Sequence, residues 1–345
     1  MINISEEIKL NLLKERRTWL ITGVGGFIGS NLLEALSSLN QRVIGLDNFL
    51  TGSKVNIESA LKDSTKLDNE IEFIFHQGDI TNIEDCKRVC EDVDIVLHQA
   101  ALGSVPRSIK DPIASHVNNS TGFLNLITSA KEMGVRNFVY ASSSSVYGDH
   151  KDLPKIEERI GQPLSPYAVS KYTNELYAKA FQNSYNFNSI GLRYFNVFGK
   201  RQNPESTYAA VIPKWLNALM SNQSVTIFGD GNTTRDFSHV DNVIEANLRA
   251  GLADNDEAKN QVYNIALNQR TSLNELLELI QSYLSRKYDY KIESLPKYED
   301  FRDGDIRDSQ ANIEKASALI GYKPITDIKE GIEKTIDWFI SNNNL

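Results

Sequence analysis

The sequence predicts an α/β fold: a doubly wound parallel sheet with a smaller mixed α/β lobe towards the C-terminus. Three observations predict it. Short apolar strand-like stretches alternate with helical ones through residue 195, the pattern that yields parallel strands joined by crossover helices. The first of these strands runs directly into a glycine-rich turn and then into a helix. From about Asn196 the texture changes to loops with Gly and Pro, followed by a helical tail.

Taken in order, residues 1–17 form a short helical lead-in of mixed polarity, carrying Glu6 and Glu7 and resembling no signal peptide. Trp19–Thr22 is an apolar strand. Gly23, Val24, Gly25, Gly26, Phe27, Ile28 and Gly29 follow it, then a helical pattern through Leu36. Further strands are expected at Arg42–Leu46 (ending in Asp47), Glu72–Phe75, Ile95–His98, Asn137–Ala141 and Ser189–Arg193. Helices such as Asn119–Glu132 and Tyr167–Asn183 separate them. Beyond them come a hairpin-like Val225–Gly231 and helices at Leu273–Leu284 and Ile328–Ile340. The expected organisation is an extension (1–17), a dinucleotide-binding domain (18–195, also receiving a segment near 238–270) and a mainly substrate-binding lobe (196–345).

At 345 residues, 41% hydrophobic and 24% charged, the chain can bury one large core and a smaller one. Its net charge of -8 argues against a nucleic-acid surface and a polybasic membrane contact. No apolar run approaches the ~18–20 residues of a spanning helix. Cys86 and Cys90 lie four apart in a helical stretch without the partners of a zinc site, so reduced thiols, no metal and a cytoplasmic location are expected.

The spacing G-x-x-G-x-x-G of Gly23, Gly26 and Gly29, between a strand and a helix, is what a dinucleotide requires. It allows a tight turn, close approach of backbone to pyrophosphate, and phosphate at the helix N-terminus. Asp47 ends the second strand, 18 residues past Gly29. A carboxylate there accepts hydrogen bonds from both adenosine ribose hydroxyls and repels a 2′-phosphate, which predicts NAD over NADP. Gly78, Asp79 and Ile80, and then His98, Gln99, Ala100 and Ala101, fall at the next carboxyl strand ends, where small residues let backbone lie close to a cofactor. His98 reads as structural. Ser165 and Pro166 read as an N-cap and first-turn proline, so Tyr167 and Lys171 share one helical face. A bare Tyr-x-x-x-Lys is usually a surface pair. Next to a cofactor, though, a lysine ammonium favours the phenolate of a tyrosine whose ordinary pKa is near 10. The serines Ser142–Ser145 at the preceding strand end could hold a substrate hydroxyl against it. Arg235 and Arg307, far apart in an acidic chain, either clamp a diphosphate or form surface ion pairs with Asp236 or Asp305.

With these residues in view, the chain resembles the extended short-chain dehydrogenases/reductases, and more narrowly the bacterial UDP-N-acetylhexosamine 4-epimerases, from about Thr18 to the C-terminal helix. The motifs are the Gly23–Gly29 loop, Asp47-Asn48-Phe49 with Thr51-Gly52, His98–Ala101, Ser142–Gly148, Tyr167–Lys171, Arg193–Gly199 and Arg235-Asp236-Phe237. The resemblance implies NAD that stays bound, contacted by Gly23, Gly26, Phe27, Ile28, Asp47, Asn48, Thr51, Gly52, Asp79, Ile80, Gln99, Ala100, Ala101, Asn119, Tyr167, Lys171 and Tyr194. It implies that the Tyr167 phenolate takes the proton of the sugar 4-hydroxyl as C4 gives up hydride. The 4-keto sugar then turns over and receives hydride on its other face. Lys171 would hold the nicotinamide ribose and lower the Tyr167 pKa, and Ser143 would orient the 4-oxygen.

For the substrate, the resemblance implies a UDP-sugar contacted by Gly103, Ser104, Ser143, Ser144, Tyr167, Asn196, Ala210, Val211, Arg235, Arg307 and Ser309. Leu102-Gly103-Ser104 and Ala209-Ala210 resemble the stretches that leave room for a 2-acetamido group. Related 4,6-dehydratases carry an acidic pair where this chain has Ser144 and Ser145, so elimination lacks its acid and base. The glutamate of related nucleotide-uronate decarboxylases is absent too. Close relatives have asparagine where Phe228 stands. Interconversion of UDP-GlcNAc and UDP-GalNAc is the implied activity, with a place in surface-polysaccharide supply. A 4-epimerase of the matching N-acetylglucosaminuronate and a one-way sugar-nucleotide reductase are the alternatives. Helices at Ser115–Ser129 and Tyr167–Phe181 imply a homodimer built on a four-helix bundle.

Overall fold

A computed structural model describes residues 2–64, 71–203, 210–292, 294–301 and 307–342. The expected strands form as β1 (Thr18–Thr22), β2 (Arg42–Asp47), β3 (Glu72–Gln77), β4 (Ile95–His98), β5 (Asn137–Ser143) and β6 (Ser189–Tyr194). The chain then passes through β7 (Val197–Phe198), β8 (Thr226–Phe228), β9 (Thr234–Arg235) and β10 (Ser238–His239) before β11 (Val262–Ile265) rejoins the main sheet. That sheet has seven parallel strands in the order β11-β6-β5-β4-β1-β2-β3. The chain builds outwards from β1 to β3, then crosses back to β4 on the other side of β1. The carboxyl ends of β1 and β4 therefore flank the switch point where such sheets bind ligands.

Side chains alternate between the two faces with period two. Trp19, Ile21, Val43, Leu97 and Val139 point to one core, and Leu20, Ile44, Val96, Phe138 and Tyr140 to the other. Both faces are covered, which is why these strands read as apolar runs. The first core is closed by α1 (Glu6–Lys14), α2 (Phe27–Ser38), α3 (Lys54–Ser64) and, from late in the chain, α10 (Val240–Gly251) and α12 (Glu314–Ile320). The second is closed by α4 (Ile83–Cys90), α7 (Gly122–Glu132) and α8 (Pro166–Tyr185).

The lead-in is thus part of the first core. Ile4, Ile8 and Leu12 are buried, and Ser5 is tied to Glu245 of α10 by its N–H (3.0 Å) and its hydroxyl (2.6 Å). Between α5 (Val105–Lys110) with α6 (Pro112–His116) and α7, residues Val117–Thr121 make a wide π-helical turn. A separate core of Trp215, Leu216, Leu276, Ile280, Ile332, Ile336 and others packs α9 (Val211–Met220), α11 (Leu273–Tyr288) and α13 (Ile328–Asn342) into the second lobe. The hairpin expected at Val225–Gly231 does not form. β8 pairs in parallel with the distant strand β13 (Lys297–Glu299), because the turn leads on to β9 instead of folding back. Ala209 and Gly304–Ile306 lie outside the described residues.

Candidate active site

β1 delivers the chain into the glycine turn at the switch point. Gly23 has φ +71° and is packed so that a Cβ would stand 2.8 Å from the Ala100 nitrogen. At Gly29 a Cβ would meet the Gly23 oxygen at 2.1 Å. Only glycine fits either place. Gly26 is the N-cap of α2 and supplies no side-chain cap, so the first N–H groups of that helix are left to the cleft. The Asp47 carboxylate accepts from the N–H of Gly25 (2.8 Å) and of Phe49 (2.7 Å). Burial raises its pKa, with these two bonds pulling the other way.

A cleft of about 300 Å³ is lined by 15 of the 17 residues expected to contact NAD: Gly23, Gly26, Phe27, Ile28, Asp47, Asn48, Thr51, Gly52, Ile80, Gln99, Ala100, Ala101, Tyr167, Lys171 and Tyr194. Asp79 and Asn119 are not on its lining. Asp79 is occupied by Asn48 (2.7 Å) and by the N–H and hydroxyl of Thr81 (both 2.8 Å). Burial pushes its pKa up, and these bonds more than offset that. Asn119 braces Leu102 through both backbone groups (2.7 and 3.1 Å) and donates to Ser170 (3.1 Å). The wide turn brings its neighbour Asn118 to the cleft instead. Sequence reasoning missed Asn118 and also Asn247 of α10. Asn247 bonds Gln99 at 3.0 Å and the Tyr194 hydroxyl at 2.8 Å and so sets both at the cleft wall. Nothing local in the sequence marks Asn247, 148 residues from Gln99.

Helix α8 starts as the sequence reads. Ser165 caps it through the Ala168 N–H (3.1 Å) and Pro166 opens the first turn. Tyr167 and Lys171 reach the cleft together with Ala141 and Ser142 of β5, whereas Ser143 is buried and not on its lining. Lys171 Nζ donates to the Ala141 carbonyl at 2.7 Å and lies 5.9 Å from the Tyr167 ring centroid. The expected lowering of the Tyr167 pKa by Lys171 is not what this geometry gives. Burial raises the phenol above its ordinary value, and the group pulling it down is the Ser143 hydroxyl. Lys171 is itself lowered by burial to about 8. His98 is buried against Thr22 (2.7 Å), and burial, then the Lys171 charge, lowers its pKa to about 3, so it is a neutral structural imidazole. Burial pushes Cys86 up to about 12 and Cys90 higher, so neither thiol is a nucleophile.

In the second lobe, Arg235 and Arg307 become neighbours. The Thr234 N–H donates to the Arg307 carbonyl (3.0 Å) and the Ser309 N–H to the Thr234 carbonyl (3.1 Å). Arg235 Nη1 donates to the carbonyls of Thr234 (2.9 Å) and Arg307 (3.3 Å). Arg307 pairs with Asp230 at 3.0 Å, while Asp236 is buried and accepts the N–H groups of Leu267 (2.9 Å) and Ala311 (3.1 Å). Asn196 donates to the Asp236 carbonyl (3.1 Å) and stitches the end of β6 to this lobe. Ala210 caps α9, whose first residue is Val211, and Ser144 is half-buried in the turn after Ser143. Gly103 lines the cleft and Ser104 caps α5 at φ +97°.

The Lys171 shift has a consequence for stability. A lysine whose pKa falls from 10.5 unfolded to about 8 folded costs stability wherever both forms are charged. That cost fades as pH rises from about 8 to 10.5. The shift is worth roughly 3 kcal/mol, less ~1 for the lost bond to Ala141. Lys171→Met is therefore expected to raise unfolding stability by about 2 kcal/mol at pH 7 and to remove its rise towards pH 10. Denaturant titration at the two pH values checks this.

A glycine turn at the switch point of a doubly wound sheet, an acidic second-strand end and a Tyr-x-x-x-Lys pair on one cleft define a site for a nicotinamide dinucleotide. The sequence profile of the NAD dependent epimerase/dehydratase family matches residues 19–266, and the chain belongs to that family. A UDP-glucose 4-epimerase of Mycolicibacterium smegmatis is 33% identical over 322 residues, covering 93% of this chain and 97% of its own. The UDP-N-acetylglucosamine 4-epimerase from Methanobrevibacter ruminantium M1, solved with UDP-N-acetylmuramic acid, superposes with a TM-score of 0.86 at 35% identity, covering 95% of this chain and 99% of its own. The UDP-glucuronic acid 4-epimerase from Bacillus cereus, solved with UDP-glucuronic acid and NAD, gives 0.81 at 28% identity, covering 94% and 99%. The protein is an enzyme of the NAD-dependent UDP-sugar 4-epimerase family. No described helix is long and apolar enough to cross a membrane.

Proposed function

We propose that this enzyme interconverts UDP-GlcNAc and UDP-GalNAc by inverting C4 through a 4-keto sugar. The observation that supports the N-acetyl reading is Gly103: it lines the cleft and a Cβ there would meet nothing within 4 Å, so no side chain fills the wall that this reading gives to the C2 substituent. The bound nicotinamide supplies a reversible hydride acceptor at C4. Tyr167 holds and returns the proton of the 4-hydroxyl, Ser143 orients that oxygen, and the Lys171 ammonium sits behind them on α8. Arg235 and Arg307, brought together by backbone pairing, face the diphosphate in this reading, with Ser309, Ala210 and Val211 flanking the nucleotide and Ser104, Ser144 and Asn196 the sugar. Asp79 and Asn119 act on the cofactor through Asn48 and Leu102.

The working unit in this reading is a cytoplasmic homodimer. α5 and α6 pack beside α8, and these helices expose the apolar side chains Ile109 (64%), Ile113 (75%), Val169 (51%) and Leu176 (54%), which a second copy would cover.

Incubation of the purified protein with UDP-GlcNAc, no cofactor added, is expected to yield UDP-GalNAc by NMR, and the same sample is expected to sediment as a dimer. Inversion only of the corresponding uronate would move the assignment to a uronate 4-epimerase. Stoichiometric loss of added NADH with a one-way product would move it to a reductase.

A further inference from the structure

One buried carboxylate of the catalytic helix takes no part in the chemistry above. Tyr167, Lys171 and Glu175 recur every four residues on α8 and form a single stripe. Glu175 Oε1 accepts from the Ser142 hydroxyl at 2.5 Å and from Arg193 Nε at 2.9 Å, and Oε2 accepts from Arg193 Nη2 at 2.7 Å. The paired side chains are 5% and 3% exposed. Arg193 is itself fixed: Nη1 donates to the Glu157 carbonyl at 2.9 Å, and its guanidinium lies 4.9 Å from the Tyr147 ring centroid. A buried ion pair is no explanation of stability by itself, since desolvation can cancel its attraction. Its position is informative. Ser142 stands between Ala141, whose carbonyl holds Lys171, and Ser143, whose hydroxyl is bonded within the strand-end turn to Ser145 (3.1 Å) and pulls the Tyr167 phenol towards ionisation.

We propose that Glu175 is a positioning residue that, clamped by Arg193, holds Ser142 and thereby keeps the end of β5 in register with the catalytic helix. The Ala141 carbonyl then stays on Lys171, and Ser143 keeps its place at the strand end facing α8. This rests on Tyr167 working as the phenolate base and not on which UDP-sugar is bound. Loosening the strand end weakens the pull of Ser143 that opposes the burial of Tyr167. The phenol then ionises at higher pH, and the rising limb of activity against pH moves upwards.

Ser142→Ala in the NAD-loaded enzyme tests this, because it leaves the Glu175–Arg193 pair in place. With the UDP-sugar that the wild type turns over, kcat at pH 7 is expected to fall about tenfold, with KM and bound NAD within about twofold of wild type. The deficit should shrink at alkaline pH. Ultraviolet titration of tyrosinate, differenced against the same variant carrying Tyr167→Phe, should show the Tyr167 phenol ionising at higher pH than in the wild type. That reading needs no substrate. Glu175→Asp, one methylene short of spanning Ser142 and Arg193 together, should reproduce both effects. Equal losses at every pH with an unmoved titration would mean a fold defect and overturn the proposal. So would unchanged kcat, or a shift in Ser142→Ala that Glu175→Asp does not share.

Discussion

Tyr167→Phe is expected to lower kcat about a thousandfold, the scale of a lost general base, while bound NAD and KM change little. The argument is geometric. Tyr167 lines the cleft, and the Ser143 hydroxyl at the end of β5 pulls its phenol towards ionisation against the effect of burial. Phenylalanine keeps the ring and its packing and removes only the oxygen that exchanges a proton. The glycine turn, Asp47 and the wall formed by Gln99 and Tyr194 are untouched. Turnover by NMR and NAD content by absorbance after denaturation are the two readings. Normal turnover by the variant would place the base elsewhere.

Glu34→Gln is expected to destabilise the protein by about 3–4 kcal/mol, the cost of breaking a buried ion cluster from one side. Glu34 lies on α2 with its side chain 2% exposed, and accepts Lys200 Nζ at 2.6 and 2.5 Å and Arg201 Nη2 at 2.6 Å. Arg201 reaches on to Asp63 (2.7 Å) and Asn31 (3.3 Å), and holds a backbone φ of +64°. A glutamine there turns an amide N–H₂ towards two cations that have lost a carboxylate. The cluster joins the helix that follows the glycine turn to the start of the second lobe. Its loss is therefore expected to lower the denaturation midpoint at an unchanged denaturant slope. A midpoint within about 0.5 kcal/mol of wild type would show that the cluster contributes nothing net.

The alternating strands and helices, the glycine spacing and the Ser165–Pro166 start of α8 were all legible in the sequence. Each is a local signal: period-two burial in β1, β2, β4 and β5, two positions where a Cβ would strike backbone, and two side chains four residues apart on one helix. The sequence by itself therefore determined the dinucleotide cleft and the placement of Tyr167 and Lys171 at its wall. Only the tertiary structure decided what acts across long separations. Pairing of Thr234 with residues 307–309 makes neighbours of Arg235 and Arg307, and Asn247 from α10 secures Gln99 and Tyr194. β8 finds its partner at β13 and not in a hairpin. Asn119 turns inward to Leu102 because a wide turn exchanges its place with Asn118. The sign of the Tyr167 shift belongs here too. Spacing along a helix says that an ammonium is near, whereas the balance between its charge, the Ser143 bond and loss of water depends on what the folded chain packs around the phenol.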